Sequence, residues 1–286
     1  MNNIKKTPPD SQEFLQRTSG IAKPPKCLWY IGKLPKNGPS VAIVGSRKPT
    51  EYGRYVTQKL ASGLAARGVI VVSGLALGHD ALAHRGALDG GGITVAVLGS
   101  GLGNITPFTN QDLAEEIARK GGAIISEYEP SMDVHPGSHL ARNRIISALA
   151  DVIVVVEAGI KSGTLNTAMH ALEQGKELMA VPGNITSPLS VGCNKLIVQG
   201  AAPVTCVDDV LEKLGLVAIG ENDGDLPMFN SDAERLIVEM IKSGVSDGDQ
   251  IIAELGLTAS EFNRAITMLE LAGIVRALGA NRWVVK

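Results

Sequence analysis

Between residues 41 and 181 six short strand-forming runs, 41–44, 69–72, 93–98, 123–126, 152–156 and 178–181, alternate with helical stretches near 51–67, 77–89, 109–120, 139–150 and 162–174. Strands apolar on both faces need cover on both faces, so this alternation predicts βαβ units and an α/β fold: a Rossmann-like, doubly wound, mostly parallel sheet. Ligands of such sheets sit beyond the carboxyl ends of the strands. Gly45-Ser46-Arg47, Ser73-Gly74, Gly99-Ser100-Gly101 and Glu157-Ala158-Gly159 are therefore expected on one rim.

At 286 residues, 44% of them hydrophobic, the chain has room for a second, smaller unit. Residues 216–230 combine Gly, Asp, Asn and Pro without periodicity and read as a linker. Helices are then expected from Ser231-Asp232 to Ile241, over 250–255 and over 258–272, the last entered through Thr258 and Ser260 with Glu261 in its first turn. Strands at 274–276 and 282–285 flank Gly279-Ala280-Asn281, and three helices with a ribbon describe a small C-terminal winged-helix domain over 231–286. The resulting division is a Lys/Pro-rich tail (1–22), a Rossmann-like domain (23–215), a linker (216–230) and the winged helix.

The net charge of −2 hides a gradient: residues 1–39 hold 7 Lys/Arg against 2 Asp/Glu, and residues 216–286 hold 6 against 11. A broad duplex-coating face would be more basic, so any nucleic-acid site must be local. No apolar run is long enough for a membrane span or a secretory signal, which makes a cytoplasmic protein the expectation. Cys27, Cys193 and Cys206 are odd in number and lack CxxC spacing, so neither disulfides nor zinc are implied. His135 and His139 are separated by Pro136-Gly137, which argues against a shared helical face and a metal site.

Gly45-Ser46-Arg47 suits phosphate: Gly45 lets backbone approach a ligand, Ser46 offers a helix cap and Arg47 a fork of donors. Lys48-Pro49 occupy the places of the later glycines of a dinucleotide fingerprint, so no nicotinamide cofactor, and no other, is expected. A plain turn with a solvated arginine is the alternative. Ser73-Gly74 on the neighbouring strand favours an anion site. Lys161-Ser162-Gly163 opens a helix and brings an ammonium, a hydroxyl and amides to the same rim, unless Ser162 is only a cap. Arg142, Asn143 and Arg144 suit backbone contact with nucleic acid if they reach the rim instead of open solvent. His79-Asp80 reads as fixing loop structure, and His84, Arg85 and Asp89 as anchoring their helix. Catalysis lacks a nucleophile elbow or a cysteine with an evident histidine partner.

VAIVGSR (41–47), VVSGLALGHDALAHRGAL (71–88), TVAVLGSGL (94–102), ISEY (125–128), RNRIIS (142–147), VVVEAGIKSGTLNTA (154–168), EQGKELMAVPG (173–183) and GCNKLI (192–197), in this order, resemble the DprA/Smf family. LWYIGKL (28–34) looks like its entry strand. The resemblance implies a non-enzymatic, dimeric protein that binds and protects single-stranded DNA without sequence preference and helps to load RecA during natural transformation and recombination. It implies that Arg47 is the main binding arginine and Lys161 the second basic contact, with Gly45, Ser46, Ser73, Gly74, Asn143, Ser162 and Gly163 lining the pocket. The chain departs from the family at His79, at His139-Leu140 and at Thr106-Pro107, each change removing apolar or aromatic surface, so weaker base stacking is expected. No room is left before residue 23 for the family's helical amino-terminal domain.

Two other classes compete. A nucleotide phosphoribohydrolase of the lysine-decarboxylase-like group uses PGGxGTxxE; Gly163-Thr164 match it, but Thr167 replaces the glutamate and with it the acid/base group. A duplex-binding regulator would use Arg264, Arg276 and Arg282 of the winged helix, against that segment's acidic balance.

Overall fold

A computed structural model describes residues 4–135, 137–216, 231–271, 274–279 and 281–285. The chain divides into two compact units, Met1–Ala218 and Ile219–Lys286. In the first, chain order is β1 (Lys5–Thr7), β2 (Leu28–Gly32), β3 (Ser40–Val44), α1 (Glu51–Ala66), β4 (Ile70–Ser73), α2 (His79–Asp89), β5 (Thr94–Leu98), α3 (Gln111–Arg119) and β6 (Ala123–Ser126). It continues with α4 (Ser138–Leu149), β7 (Val152–Val155), α5 (Thr164–Glu173), β8 (Glu177–Ala180), α6 (Val191–Val198), β9 (Ala202–Pro203) and α7 (Val207–Lys213).

Among the described residues these strands form one sheet in the order β1-β2-β6-β5-β4-β3-β7-β8-β9. β6 through β9 are parallel, while β2 runs antiparallel to β6 and β1 to β2. Alternate residues of each strand enter opposite layers. Ala42 and Val44 pack with Ile145, Ile146 and Leu149 of α4 and Ala168 and Ala171 of α5, whereas Val41 and Ile43 pack with Leu60 and Leu64 of α1 and Ala83 of α2. All five positions of β3 are buried, as double cover requires.

Residues 5–18, read above as part of a tail, are folded onto this sheet. β1 pairs with β2, and Phe14 and Leu15 enter the α4 layer. Arg17 locks the segment: its guanidinium donates to Asp151 Oδ2 (3.0 Å), Asn37 Oδ1 (2.7 Å) and the carbonyls of Gly38 and Leu149. The expected strands and helices from 41 to 181 are all present, with ends shifted by at most two residues where capping and turn geometry set the boundary.

The second unit holds α8 (Asp232–Lys242), α9 (Gly248–Leu255), α10 (Ala259–Leu271) and a ribbon of β10 (Val275–Gly279) and β11 (Arg282–Val285). Ile237, Ile241, Ile251, Phe262, Ile266 and Val275 form its core. Ser231 caps α8 and Asp247 caps α9, while Thr258 and Glu261 bond reciprocally at the entry of α10. The helices and ribbon make it a winged helix. Of the linker reading, residues 217–230 lie outside the described residues.

His84 anchors α2 as its composition suggested. Its Nδ1–H donates to Thr94 Oγ1 (2.7 Å), whose own proton goes to the carbonyl of Val71, leaving Nε2 buried and, among the described residues, without a partner. Burial, helped by the Arg142 charge, lowers its pKa to about 3. In the unfolded chain the group takes up a proton below about pH 6.5. Between those values the unfolded state binds more protons, so this contribution is complete above about pH 6.5 and is lost as pH falls toward 3. Urea unfolding of His84→Asn, which keeps the donor to Thr94, is expected to show a shallower stability loss than the parent between about pH 6.5 and 4.5. Parallel curves for the two proteins would contradict this.

Candidate nucleic-acid interface

From β3 the chain moves outward through β4 and β5 to β6, then returns to place β7 on the other side of β3. The crossovers leave β3 and β7 in opposite directions, so a crevice opens where their carboxyl ends adjoin. It holds a cavity of about 280 Å³. Gly45, Ser46 and Arg47 line it from β3, Arg142 and Asn143 from α4, and Ser162 and Gly163 from the start of α5. Seven of the eleven candidate residues thus meet in one place.

The loop after β3 is held rigidly. Ser46 N donates to the carbonyl of Glu157 (2.9 Å), and His79 N to that of Ser46 (3.3 Å). Glu157 is buried; its carboxylate accepts from Thr50 N (2.9 Å), Thr50 Oγ1 (2.5 Å) and His79 Nε2 (3.0 Å). The His79 Nδ1 atom lies 2.6 Å from Thr57 Oγ1 on α1. Burial keeps the His79 imidazole below the usual histidine range, opposed by the Glu157 carboxylate. A Cβ on Gly45 would lie 2.4 Å from His79 Cδ2, so this glycine makes room for a ring and not only for a ligand. Gly78 has φ +82° and its backbone packs against Ser46 and Arg47, where a Cβ would stand 2.4 Å from the Ser46 carbonyl oxygen. The cap of α1 is Thr50, which accepts from Gly53 N; Ser46 instead accepts from Lys48 N (3.1 Å).

Arg142 and Arg47 divide the positive charge. Arg142 is 4% exposed and donates to the carbonyls of Gly74 and Val97 and to Asn143 Oδ1, with Asp80 Oδ2 3.6 Å away. Gly74 leaves space for that guanidinium, which a Cβ would strike at 2.2 Å. Burial lowers the Arg142 pKa against the pull of Asp80, and raises that of Asp80 against the pull of Arg142. Arg47 is exposed, and among the described residues no hydrogen bond or ion pair engages its side chain. The cavity thus has a fixed cation in its wall and an uncommitted one at its mouth.

Four candidates stand elsewhere. Ser73 is buried and its Oγ donates to the carbonyl of Ile43, tying β4 to β3. Gly74 serves through Arg142. Arg144 lies about 200° around the helix from Arg142; it donates to Glu127 (2.6 Å) and to the carbonyl of Lys23, away from the cavity. Lys161 is exposed beside Ser162 and outside the cavity lining. Asp80, His139, Thr164 and Thr167 line the cavity unanticipated. The spacing of His139, Arg142, Asn143 and Ile146 marks one helical face and was the available signal. Among the described residues His139 Nδ1 is buried without a partner, and burial lowers its pKa, with Arg142 and Arg47 adding to the shift. His135 packs edge-on against Tyr128, apart from it.

The fold and the crevice define a Rossmann-like protein with a cation-lined cavity at the strand-order reversal, joined in sequence to a winged helix. Residues 6–215 match the family model of DNA recombination-mediator protein A, and residues 229–281 that of the DprA winged helix domain. The chain belongs to the DprA/Smf family of DNA-processing proteins. It is 37% identical to protein Smf of Escherichia coli over 281 residues, covering 95% of this chain and 75% of that one. The DprA structure of Streptococcus pneumoniae superposes with a TM-score of 0.67 at 37% identity, covering 74% of each chain. DNA processing protein A of Helicobacter pylori, solved for its single-stranded-DNA binding mode, matches with a TM-score of 0.65 at 32% identity, covering 74% of this chain and 95% of that one.

Replacing Arg142 by alanine leaves Asp80 as a buried, unpaired carboxylate and two carbonyls without their donor. Chemical denaturation is expected to show a loss of about 3 to 5 kcal/mol, whereas Arg47→Ala leaves stability unchanged within about 0.5 kcal/mol.

Proposed function

We propose that the cavity holds the phosphates of single-stranded DNA, bound without regard to base sequence, and that Arg47 is its principal ligand. The observation that carries this reading is the exposed, uncommitted Arg47 guanidinium over a cavity already charged by Arg142. At the start of α5 the Thr164 hydroxyl supplies a further donor, while the Ser162 hydroxyl donates to Thr164 Oγ1 (3.0 Å) and accepts from Thr164 N (3.2 Å). Lys161 meets the strand as it leaves the cavity. The binding mode reported for the Helicobacter pylori relative supports the choice of ligand.

The protein protects such strands in the cytoplasm, acts as a homodimer and hands them to RecA in transformation and recombination; family membership supports these steps. Among the described residues no helix is long and apolar enough to cross a membrane. Hydrolysis of a glycosidic bond lacks its acid: Thr167 lines the cavity where the hydrolase motif has glutamate, and the one carboxylate in the lining, Asp80, is engaged with Arg142. The winged helix exposes Arg264, Arg276 and Arg282 within an acidic segment, which suits a protein contact better than duplex binding.

Titration of oligothymidylate at several salt concentrations tests the assignment. Arg47→Ala and Lys161→Ala are each expected to weaken binding and to reduce the slope of log affinity against log salt by about 0.7, the share of one phosphate contact on a single strand. Parent-like affinity and slope in both variants would remove the cavity as the binding site.

A further inference from the structure

The same rim carries a second opening, of about 470 Å³, walled by Thr50, Tyr52, Glu157, Gly183, Asn184 and Ser190 among others. It shares the β3–α1 loop with the phosphate cavity, since Arg47 lines one and Thr50 the other. From Arg47 to Tyr52 the extended chain spans at most about 17 Å. Tyr52 is 50% exposed, yet its ring is held in place by a hydrogen bond from Oη to the carbonyl of Pro182 (2.9 Å). One turn along α1, Tyr55 is 63% exposed, with Lys59 Nζ 5.9 Å from its ring centroid.

Tyr52, Tyr55 and Lys59 stand at i, i+3 and i+7, on one face of the helix. An isolated exposed aromatic residue is ordinary on a protein surface. Two rings and a cation in one stripe, beginning at an anion cavity, have the composition by which proteins bind single strands: faces for bases and charge for the backbone. Arg47, Lys48, Arg54 and Lys59 outnumber the single carboxylate, Glu51, along this segment.

We propose that Tyr52 and Tyr55 form a stacking track for the bases of a single strand whose phosphates are held at Arg47. The proposal rests on the single-strand reading of the cavity and adds the surface that takes the bases. Every base has a π-face, so the track takes any sequence. It supplies, on α1, aromatic surface that His139 and Leu140 do not provide on α4.

The test compares binding of the full chain to oligothymidylate and to a strand of the same length made of abasic sugar-phosphates. Tyr52→Ala and Tyr55→Ala are each expected to weaken oligothymidylate binding by about fivefold or more and to leave the abasic strand unaffected. Tyr52→Phe keeps the ring and is expected to bind within about twofold of the parent, while Arg47→Ala weakens both strands. Both tyrosines are exposed, and thermal melting checks that the variants fold. If the tyrosine variants match the parent, or lose affinity equally for both strands, the track is overturned while an Arg47 effect on both leaves the cavity reading standing. A parent that binds neither strand overturns both.

Discussion

The reversal of strand order between β3 and β7 is the constraint on which the rest of the α/β unit depends. Crossover helices lead away from these two strands in opposite directions, and the gap at their carboxyl ends must be closed by loops. The buried carboxylate of Glu157 closes it. By accepting from the amide and hydroxyl of Thr50 it sets the start of α1, and by accepting from His79 it draws the entry of α2 under the same loop. A negative group at the start of α1 also complements that helix's dipole. The backbone of the loop from Gly45 to Thr50 is consequently held in place, while among the described residues the side chains of Arg47 and Lys48 carry no hydrogen bond or ion pair.

Charge is arranged to match. A guanidinium as deeply buried as that of Arg142 needs several partners, and Gly74, Val97, Asn143 and Asp80 occupy most of its donors. It therefore contributes potential and shape more than direct bonds. Among the described residues Arg47 has no hydrogen-bond or ion-pair partner, which leaves its donors open at no cost in buried charge. The overall charge of −2 conceals local positive groups: residues 1–39 hold 7 Lys/Arg against 2 Asp/Glu, and Arg47 and Arg142 line the cavity.

The parallel sheet was legible because strands buried on both faces leave uninterrupted apolar runs, and because capping and glycine signals punctuate them. The ends of those runs located the rim, and Gly45-Ser46-Arg47 with Ser162-Gly163 found the cavity directly. What was not legible depended on direction or on distant partners. Arg142 and Arg144 are near neighbours in sequence, yet the helix sends them to opposite sides. Ser73 has the residue type of a ligand donor but spends its hydroxyl on Ile43. The His79–Glu157 bond joins residues 78 positions apart, which no local pattern records. Residues 5–18 read as a tail because a three-residue strand and 3₁₀ turns carry no periodicity, although Arg17 and Phe14 tie them to the sheet.

On the proposed function, the protein grips an exposed phosphate backbone at the β3/β7 crevice without needing a groove to read. The most direct measurement is the affinity of the full chain for oligothymidylate alone and for the same strand annealed to oligoadenylate, in one buffer at moderate salt. The single strand is expected to bind more tightly by at least about tenfold, and Arg47→Ala to abolish most of the difference. Equal or tighter binding of the duplex would contradict it.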